Sequence, residues 1–206
     1  MSSPLIIPTE QEPVVLRKLT IEDAPAYFTA VDANRVHLSQ FGDPTASNYP
    51  TLERVEDSIL YPSNPRKLRL GIWDGEDFVG SANLTPKEDT AAEIGYWLDG
   101  RKTGRGYATL ATRALATYAK QQRYQRVFAH VTPGNAASAA VLLRSGFVQT
   151  TQGEDTLVFE YSHRVQDAQY ESSFAFEFIT SREQFLTAEG VRAFRSTYAS
   201  DVTSQR

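Results

Sequence analysis

The chain has 206 residues, 41% of them hydrophobic and 22% charged, with a formal net charge of −4, three histidines and no cysteine. That composition suits one soluble globular domain with an extension, long enough to bury a sizeable core. It excludes disulfides, thiolate metal centres and a cysteine nucleophile, and it gives no global pull towards nucleic acid or an anionic membrane, so any anion binding must be local.

The opening "MSSPLIIPTEQEP" has neither the basic region nor the apolar run of a signal peptide, and no later stretch approaches a membrane span. A cytoplasmic location is expected. Residues 1–13 are proline-rich and read as a loose arm. "VVLRKL" (14–19) alternates and reads as a strand. Thr20 and Asp23 have the spacing of a helix cap, opening a helix over about 22–31. "FGDPTASNYP" (41–50) is turn-like, and Thr51 caps a second helix to about residue 61.

Three strands follow: "KLRLGIWD" (67–74), "FVGSANLT" (78–85) and "AEIGYWLD" (92–99), with Asp74-Gly75 as a hairpin turn between the first two. The period then changes. Tyr107, Leu110, Ala111, Ala114, Leu115 and Tyr118 recur at three and four residues, an amphipathic helix over 106–122. "RVFAHVT" (126–132) is a strand. "NAASAAVLLRS" (135–145) is a short helix capped by Asn135 and ended by Gly146, and "GFVQT" and "TLVFEY" close the sheet. Antiparallel strands followed by a strand–helix–strand crossover define an α+β fold: a mixed, mostly antiparallel sheet with a central β-α-β crossover, flanked by helices.

Residues 162–206 form a C-terminal extension. Phe174, Phe176 and Phe178 alternate on one face, and Thr180 with Glu183 caps a further helix. Those aromatics need a surface, which is the chain's own domain, a second copy in a homodimer, or a lid over the site. The histidines His37, His130 and His163 are far apart in sequence and form no H-x-x-x-H pair, so no metal is expected.

One stretch carries the functional signal. "EIGYWLDGRKTGRGYATLATRALATYAK" (93–120) is a strand, a turn holding two glycines and three basic side chains, and a helix. A helix N-terminus offers unpaired N–H groups and the positive end of its dipole, which suits phosphate. Gly104 and Gly106 allow close approach, and Arg101, Lys102 and Arg105 add charge. The turn is not a Walker A loop. It departs from the dinucleotide fingerprint, with Thr109 at the third glycine position and no acid ending the next strand.

"RKTGRG", between a strand and a helix, resembles the [QR]-x-x-G-x-[GA] pyrophosphate loop of the GNAT N-acetyltransferase superfamily. "NAASAAVLLRSGF" resembles its second cofactor segment, and "LRKLTIEDA", "GIWD", "FVGSANLT" and "AEIGYWL" resemble the ribosomal-protein N-acetyltransferase branch. The resemblance covers about residues 14–161. It implies acetyl-CoA as donor and a primary amine as acceptor, either a peptide N-terminus or a small molecule such as a polyamine or antibiotic. A non-catalytic acyl-CoA sensor is the alternative from another class. It also implies that backbone N–H groups from Lys102 through Thr103, Gly104, Arg105, Gly106 and Tyr107 to Ala108 hold the pyrophosphate. Trp97 and Leu98 would pair with the pantetheine arm, and Asn135 would contact that arm. Arg144 either helps the nucleotide phosphates or only complements a helix C-terminus.

Acetyl transfer needs a neutral amine, a polarised thioester and a protonated leaving thiolate. Without cysteine a thioacyl-enzyme is excluded, which leaves direct attack in a ternary complex. Glu93 is the one acid inside strand 91–98, on the face of Gly95 and Trp97, and the family often places a catalytic glutamate there; a plain ion pair is the competing reading. Many relatives carry a tyrosine four residues before the Gly-Phe pair, but here Leu142 holds that position. The resemblance to the ribosomal-protein branch, whose members carry a serine at the position of Ser138, makes Ser138 the candidate acid; a plain third residue of the helix capped by Asn135 is the competing reading. Asn34, Arg35, His37 and Phe41 lie where the family closes the acceptor site; solvated loop polarity plus one core aromatic is the competing reading. Asn83, on the neighbouring strand, either lines the cleft or is a plain sheet-face polar residue.

Overall fold

A computed structural model describes residues 4–88 and 90–162. The C-terminal extension, with its expected packing, dimer or lid role, lies outside the described residues. Among the described residues eight strands form one sheet: β1 (Ile6–Pro8), β2 (Val14–Lys18), β3 (Leu68–Asp74), β4 (Asp77–Glu88), β5 (Ala91–Leu98), β6 (Arg126–Val131), β7 (Phe147–Gln152) and β8 (Leu157–Tyr161). Their spatial order is β1-β2-β3-β4-β5-β6-β8-β7, antiparallel throughout except between β5 and β6. That pair is joined by α5 (Tyr107–Gln121), which is the expected crossover.

The two faces of the sheet carry different cores. On one, α5 and α6 (Ala136–Arg144) cover Leu16, Leu70, Ile72, Ala92, Ile94 and Val127. The buried residues of α5 include Tyr107, Leu110, Ala111, Ala114 and Leu115, the stripe its periodicity predicts. Each large aliphatic side chain buried there contributes ~1.5–3 kcal/mol of transfer free energy. On the other face, α1 (Ala24–Ala33) and α4 (Leu52–Leu60) pack Tyr27, Ala30, Val31 and Val55 around Leu19 and Trp97. Tyr27 meets the Trp97 ring edge to face at 5.2 Å.

Three elements differ from the sequence expectation. Residues 6–8, expected in a loose arm, form the edge strand β1, because Ile7 is buried in the core and the segment pairs with Val15–Arg17. The span between the first two long helices contains two short ones, α2 (Arg35–Ser39) and α3 (Thr45–Asn48). Neither is long enough to show a period, and each is held by one buried residue, Leu38 or Ala46. Among the described residues no helix is long and apolar enough to cross a membrane.

Candidate active site

The site begins where two strands part. β5 and β6 pair only over Ala91–Glu93 and Arg126–Phe128. Beyond that point β5 stays bonded to β4 as far as Leu98, while β6 turns to β8 through Val131. Among the described residues, the edge of β5 from Ile94 to Leu98 that faces β6 therefore has no strand partner. Its peptide groups are open to an extended ligand, as in β-strand addition. Trp97 is anchored by its ring in the α1–α4 core and Leu98 packs towards α5, so both backbones are fixed along this edge.

At the mouth of the split the chain makes the glycine-rich turn. Asp99 organises it: its carboxylate accepts from the Arg101 amide at 3.0 Å and from the Arg101 guanidinium at 3.0 and 2.6 Å. The Arg101 bond, acting against the cost of burial, holds this carboxyl at about 2. Asn34 fastens the turn to the helical face, with Oδ1 accepting from Gly100 N at 2.8 Å and Nδ2 donating to Ala30 O at 2.8 Å. Thr103 Oγ1 donates back to Gly100 O at 2.9 Å.

Gly104 and Gly106 follow at φ 75° and 86°, a region L side chains avoid, and the space above both is open. The first helical bond of α5 runs from Leu110 N to Gly106 O at 3.0 Å, and Gly106 as cap supplies no side-chain acceptor. The amides of Tyr107, Ala108 and Thr109 are thus without intrahelical partners at the positive end of a 15-residue helix. Two of the three basic side chains are already matched by carboxylates: Arg101 by Asp99, and Lys102 by Asp77 at 2.8 Å. The attraction for an anion therefore rests more on backbone amides and Arg105 than the residue count suggests. Arg105 stands by the Tyr107 hydroxyl, whose bond to Asp74 at 2.5 Å pushes its proton affinity up.

On the far side of the split, Asn135 caps α6 by accepting from Ser138 N at 3.1 Å. Leu142 is buried and offers no donor. A phenol does reach the first turn of α6, but from the strand: Tyr96 OH donates to Ser138 O at 3.3 Å. Burial pushes that phenol up to about 12, against smaller opposing influences from its hydrogen bond with Ser138 and from the nearby Arg144 charge. The Arg144 carbonyl accepts from Arg113 at 2.8 Å.

Glu93 sits at the last paired position before the strands part, with its side chain on the α1–α4 face. Its carboxylate is gripped from both neighbouring strands. Lys87 Nζ lies 2.7 Å from Oε2 and His130 Nδ1 lies 2.8 Å from Oε1. Lys87 is aimed there by a β-bulge: the β4–β5 register shifts between Pro86 and Glu88 and leaves Lys87 as the extra residue. Partial burial works against the charged form of Glu93, but the bonds from Lys87 and His130 outweigh it and hold the carboxyl below its ordinary value. Ser138, bonded to Tyr96, stands on the opposite face, so the split connects the two candidate groups.

The other expected acceptor residues form a rim. Asn34 and the ring of His37 pack at Gly100, just after β5. Thr132 Oγ1, just after β6, donates to Phe41 O at 3.0 Å. The α2 segment therefore arches across the mouth of the split from one strand end to the other. Arg35 is committed to holding that arch: it pairs with Asp32 at 2.8 Å and donates to the carbonyls of Ala46, Tyr49 and Pro50. Asn83 lies opposite Gly95, its amide packed over that residue, and accepts from Thr85 Oγ1 at 3.4 Å.

Splayed parallel strands, a glycine turn at their mouth and a helix opening on that turn are what an acyl-CoA site requires, and the acetyltransferase (GNAT) domain family matches residues 14–148. The chain belongs to the GNAT acetyltransferases. It is 38% identical over 159 residues to YdaF of Bacillus subtilis (strain 168), a candidate ribosomal N-acetyltransferase, covering 74% of this chain and 87% of that one. It is 29% identical over 105 residues to the ribosomal-protein-serine acetyltransferase of Escherichia coli (strain K12), covering 50% and 59%. Among solved structures, RimL, a ribosomal L7/L12 alpha-N-protein acetyltransferase in complex with coenzyme A, superposes with a TM-score of 0.68 at 25% identity, over 76% of this chain and 97% of that one.

Two residues of the cluster around Glu93 escaped sequence reasoning. Lys87 precedes a turn and His130 stands on another strand 37 residues from Glu93. Alternation along "RVFAHV" puts His130 on the face of Phe128, but only the β5–β6 register brings that face to Glu93. Among the described residues no cluster of three or more His, Asp or Glu is arranged to hold a metal.

Proposed function

We propose that this acetyltransferase moves an acetyl group from acetyl-CoA to the α-amino group of a protein N-terminus, by direct attack in a ternary complex. The observation that carries the reading is the opening of β5 from β6 directly into the glycine turn. One open backbone edge and one cluster of helix-terminal amides match the two chemical halves of a pantetheine–pyrophosphate chain. In this reading the amides from Lys102 to Ala108 hold the pyrophosphate, with Arg105 and Arg144 adding charge and Arg101 setting the turn. Trp97 and Leu98 pair with the pantetheine through their backbones, and Asn135 shapes the opposite wall.

The thioester then lies in the split between Glu93 on one face and Ser138 on the other. Glu93 is the anionic centre of the proton-accepting group that serves the incoming ammonium. Ser138 Oγ is the donor beside the departing thiolate. Asn34, Arg35, His37, Phe41 and Asn83 form the rim through which the acceptor enters. The N-terminal acceptor is favoured by the relatives' names, two of which refer to ribosomal proteins as substrates. A cytoplasmic location follows from that substrate class.

The test is thiol release from acetyl-CoA with a thiol-reactive dye, across N-terminal peptides, polyamines, aminoglycosides and free amino acids. The chain has no cysteine to add background. Release with N-terminal peptides supports the reading. Release with polyamines or aminoglycosides alone reassigns the acceptor. Binding of acetyl-CoA without release for any amine favours a sensor.

A further inference from the structure

We infer that the atom accepting the acceptor's proton is His130 Nε2, with Glu93 acting as the positioning residue that orients the imidazole from behind. This rests on the acyl-transfer reading and deepens it. Three observations carry it. His130 Nδ1 lies 2.8 Å from Glu93 Oε1. An ionised carboxylate only accepts hydrogen bonds, so Nδ1 must carry the hydrogen and the neutral ring keeps its lone pair on Nε2. Among the described residues Nε2 has no hydrogen-bond partner, and the side chain is 45% exposed. His130 also belongs to the part of β6 that has left β5, two residues past the last pair, beside the split.

Glu93 itself is poorly suited to take the proton. Each of its oxygens is already engaged by a cationic or donating partner, Lys87 at one and His130 at the other. Both bonds favour its charged form. An imidazole nitrogen with its lone pair free is a better placed proton acceptor than a carboxylate whose two oxygens are both already bonded. The arrangement follows the logic of a carboxylate behind an imidazole, in which the acid fixes the tautomer and stabilises the imidazolium. The Phe128 ring, edge to face with the imidazole at 5.3 Å, restricts the ring from the same strand.

The step balances. The bound ammonium gives one proton to Nε2, and the neutral amine nitrogen attacks the thioester carbon. The C–N bond forms and the tetrahedral intermediate collapses with loss of the C–S bond. The second nitrogen proton reaches the leaving sulfur, and the imidazolium later gives its proton to water. The charged groups around the imidazole are Glu93 from β5, Lys87 from β4 and Arg126 from β6. Arg126 is itself paired with Glu160 of β8 at 2.7 Å. Lys67 and Asp43 are coupled to this group, Lys67 through its interactions with Glu93, Lys87 and Asp43.

The experiment compares the full-length chain with His130→Ala and Glu93→Gln at saturating acetyl-CoA and peptide. His130→Ala should lose kcat by about 100-fold or more with acetyl-CoA affinity unchanged, lose the acidic limb of the kcat–pH profile, and recover part of its rate with added imidazole. Glu93→Gln should move that limb to lower pH, because the imidazolium loses its stabilising carboxylate. The inference is overturned if His130→Ala keeps kcat within about threefold and retains the limb while Glu93→Gln abolishes it. A wild-type chain that binds acetyl-CoA yet acetylates no amine would instead sink the acyl-transfer reading. Nitrogen-15 shifts of the His130 ring at neutral pH give an activity-free check: an Nδ1–H tautomer supports the assignment, and an Nε2–H tautomer contradicts it.

Discussion

The glycine turn and the Glu93 cluster, at opposite ends of the split, are built by opposite means. The turn is local. Asp99, Arg101, Gly104 and Gly106 act within a few residues of one another, and the ring of donors they form is written in one stretch of chain. The Glu93 cluster is assembled from three strands, with Lys87, Glu93 and His130 meeting only because the register of β4, β5 and β6 places them on one face. The geometry of the turn is thus contained in a contiguous loop, whereas that of the Glu93 cluster depends on the sheet being correctly paired.

The largest expected effect sharpens that contrast. Glu93→Gln should lower kcat by about 100-fold while acetyl-CoA affinity in a calorimetric titration stays within about twofold. If affinity falls in step with kcat, the two regions are not separate.

Asn34 tests how far the local turn depends on the rest of the fold. It is buried, and its amide joins Gly100 to Ala30. Asn34→Ala leaves the Gly100 N–H and the Ala30 carbonyl without that partner, and should cost about 2 kcal/mol in urea unfolding. No change in midpoint would show that the turn holds itself.

Gly106→Val addresses the turn alone. A β-branched residue at φ 86° is strained by about 1–2 kcal/mol, so acetyl-CoA should bind roughly tenfold more weakly, with kcat at saturation nearly unchanged. An unchanged affinity would remove the turn from the binding role.

The smallest effect is in pH. The folded-state pKa of Asp99 is depressed to about 2, so its stabilisation is fully present above the ordinary aspartate value of ~3.9 and is lost as pH falls through about 2. With Arg101 largely exposed, the contribution is on the order of 1 kcal/mol. The stability gap between the wild type and Asp99→Asn should therefore close as pH drops from about 5 to about 2. A gap that persists at the acid end would assign the difference to packing instead.

Much of the fold was legible because the relevant signals are short-range. Asp74-Gly75 marked the β3–β4 hairpin, the three-and-four spacing from Tyr107 to Tyr118 marked α5, and Asn135 with Gly146 bracketed α6. Residues 6–8 were misjudged because their pairing depends on β2, not on their own composition. In the site, Glu93 stood out as a lone acid in an apolar strand, and the turn stood out by its glycines. The matching of Arg101 and Lys102 by Asp99 and Asp77 was hidden, since Asp77 approaches from across the hairpin. His130 was passed over for a related reason: with no second histidine at ligand spacing it suggested no metal, and its carboxylate partner lies on a different strand.

The most direct measurement is mass-spectrometric mapping of the acetyl group on a peptide bearing both a free N-terminus and an internal lysine, after incubation with the protein and acetyl-CoA. The account predicts acetylation at the α-amino group, with one free thiol released for each acetyl transferred. An unmodified peptide, or acetyl found on the lysine alone, would contradict it.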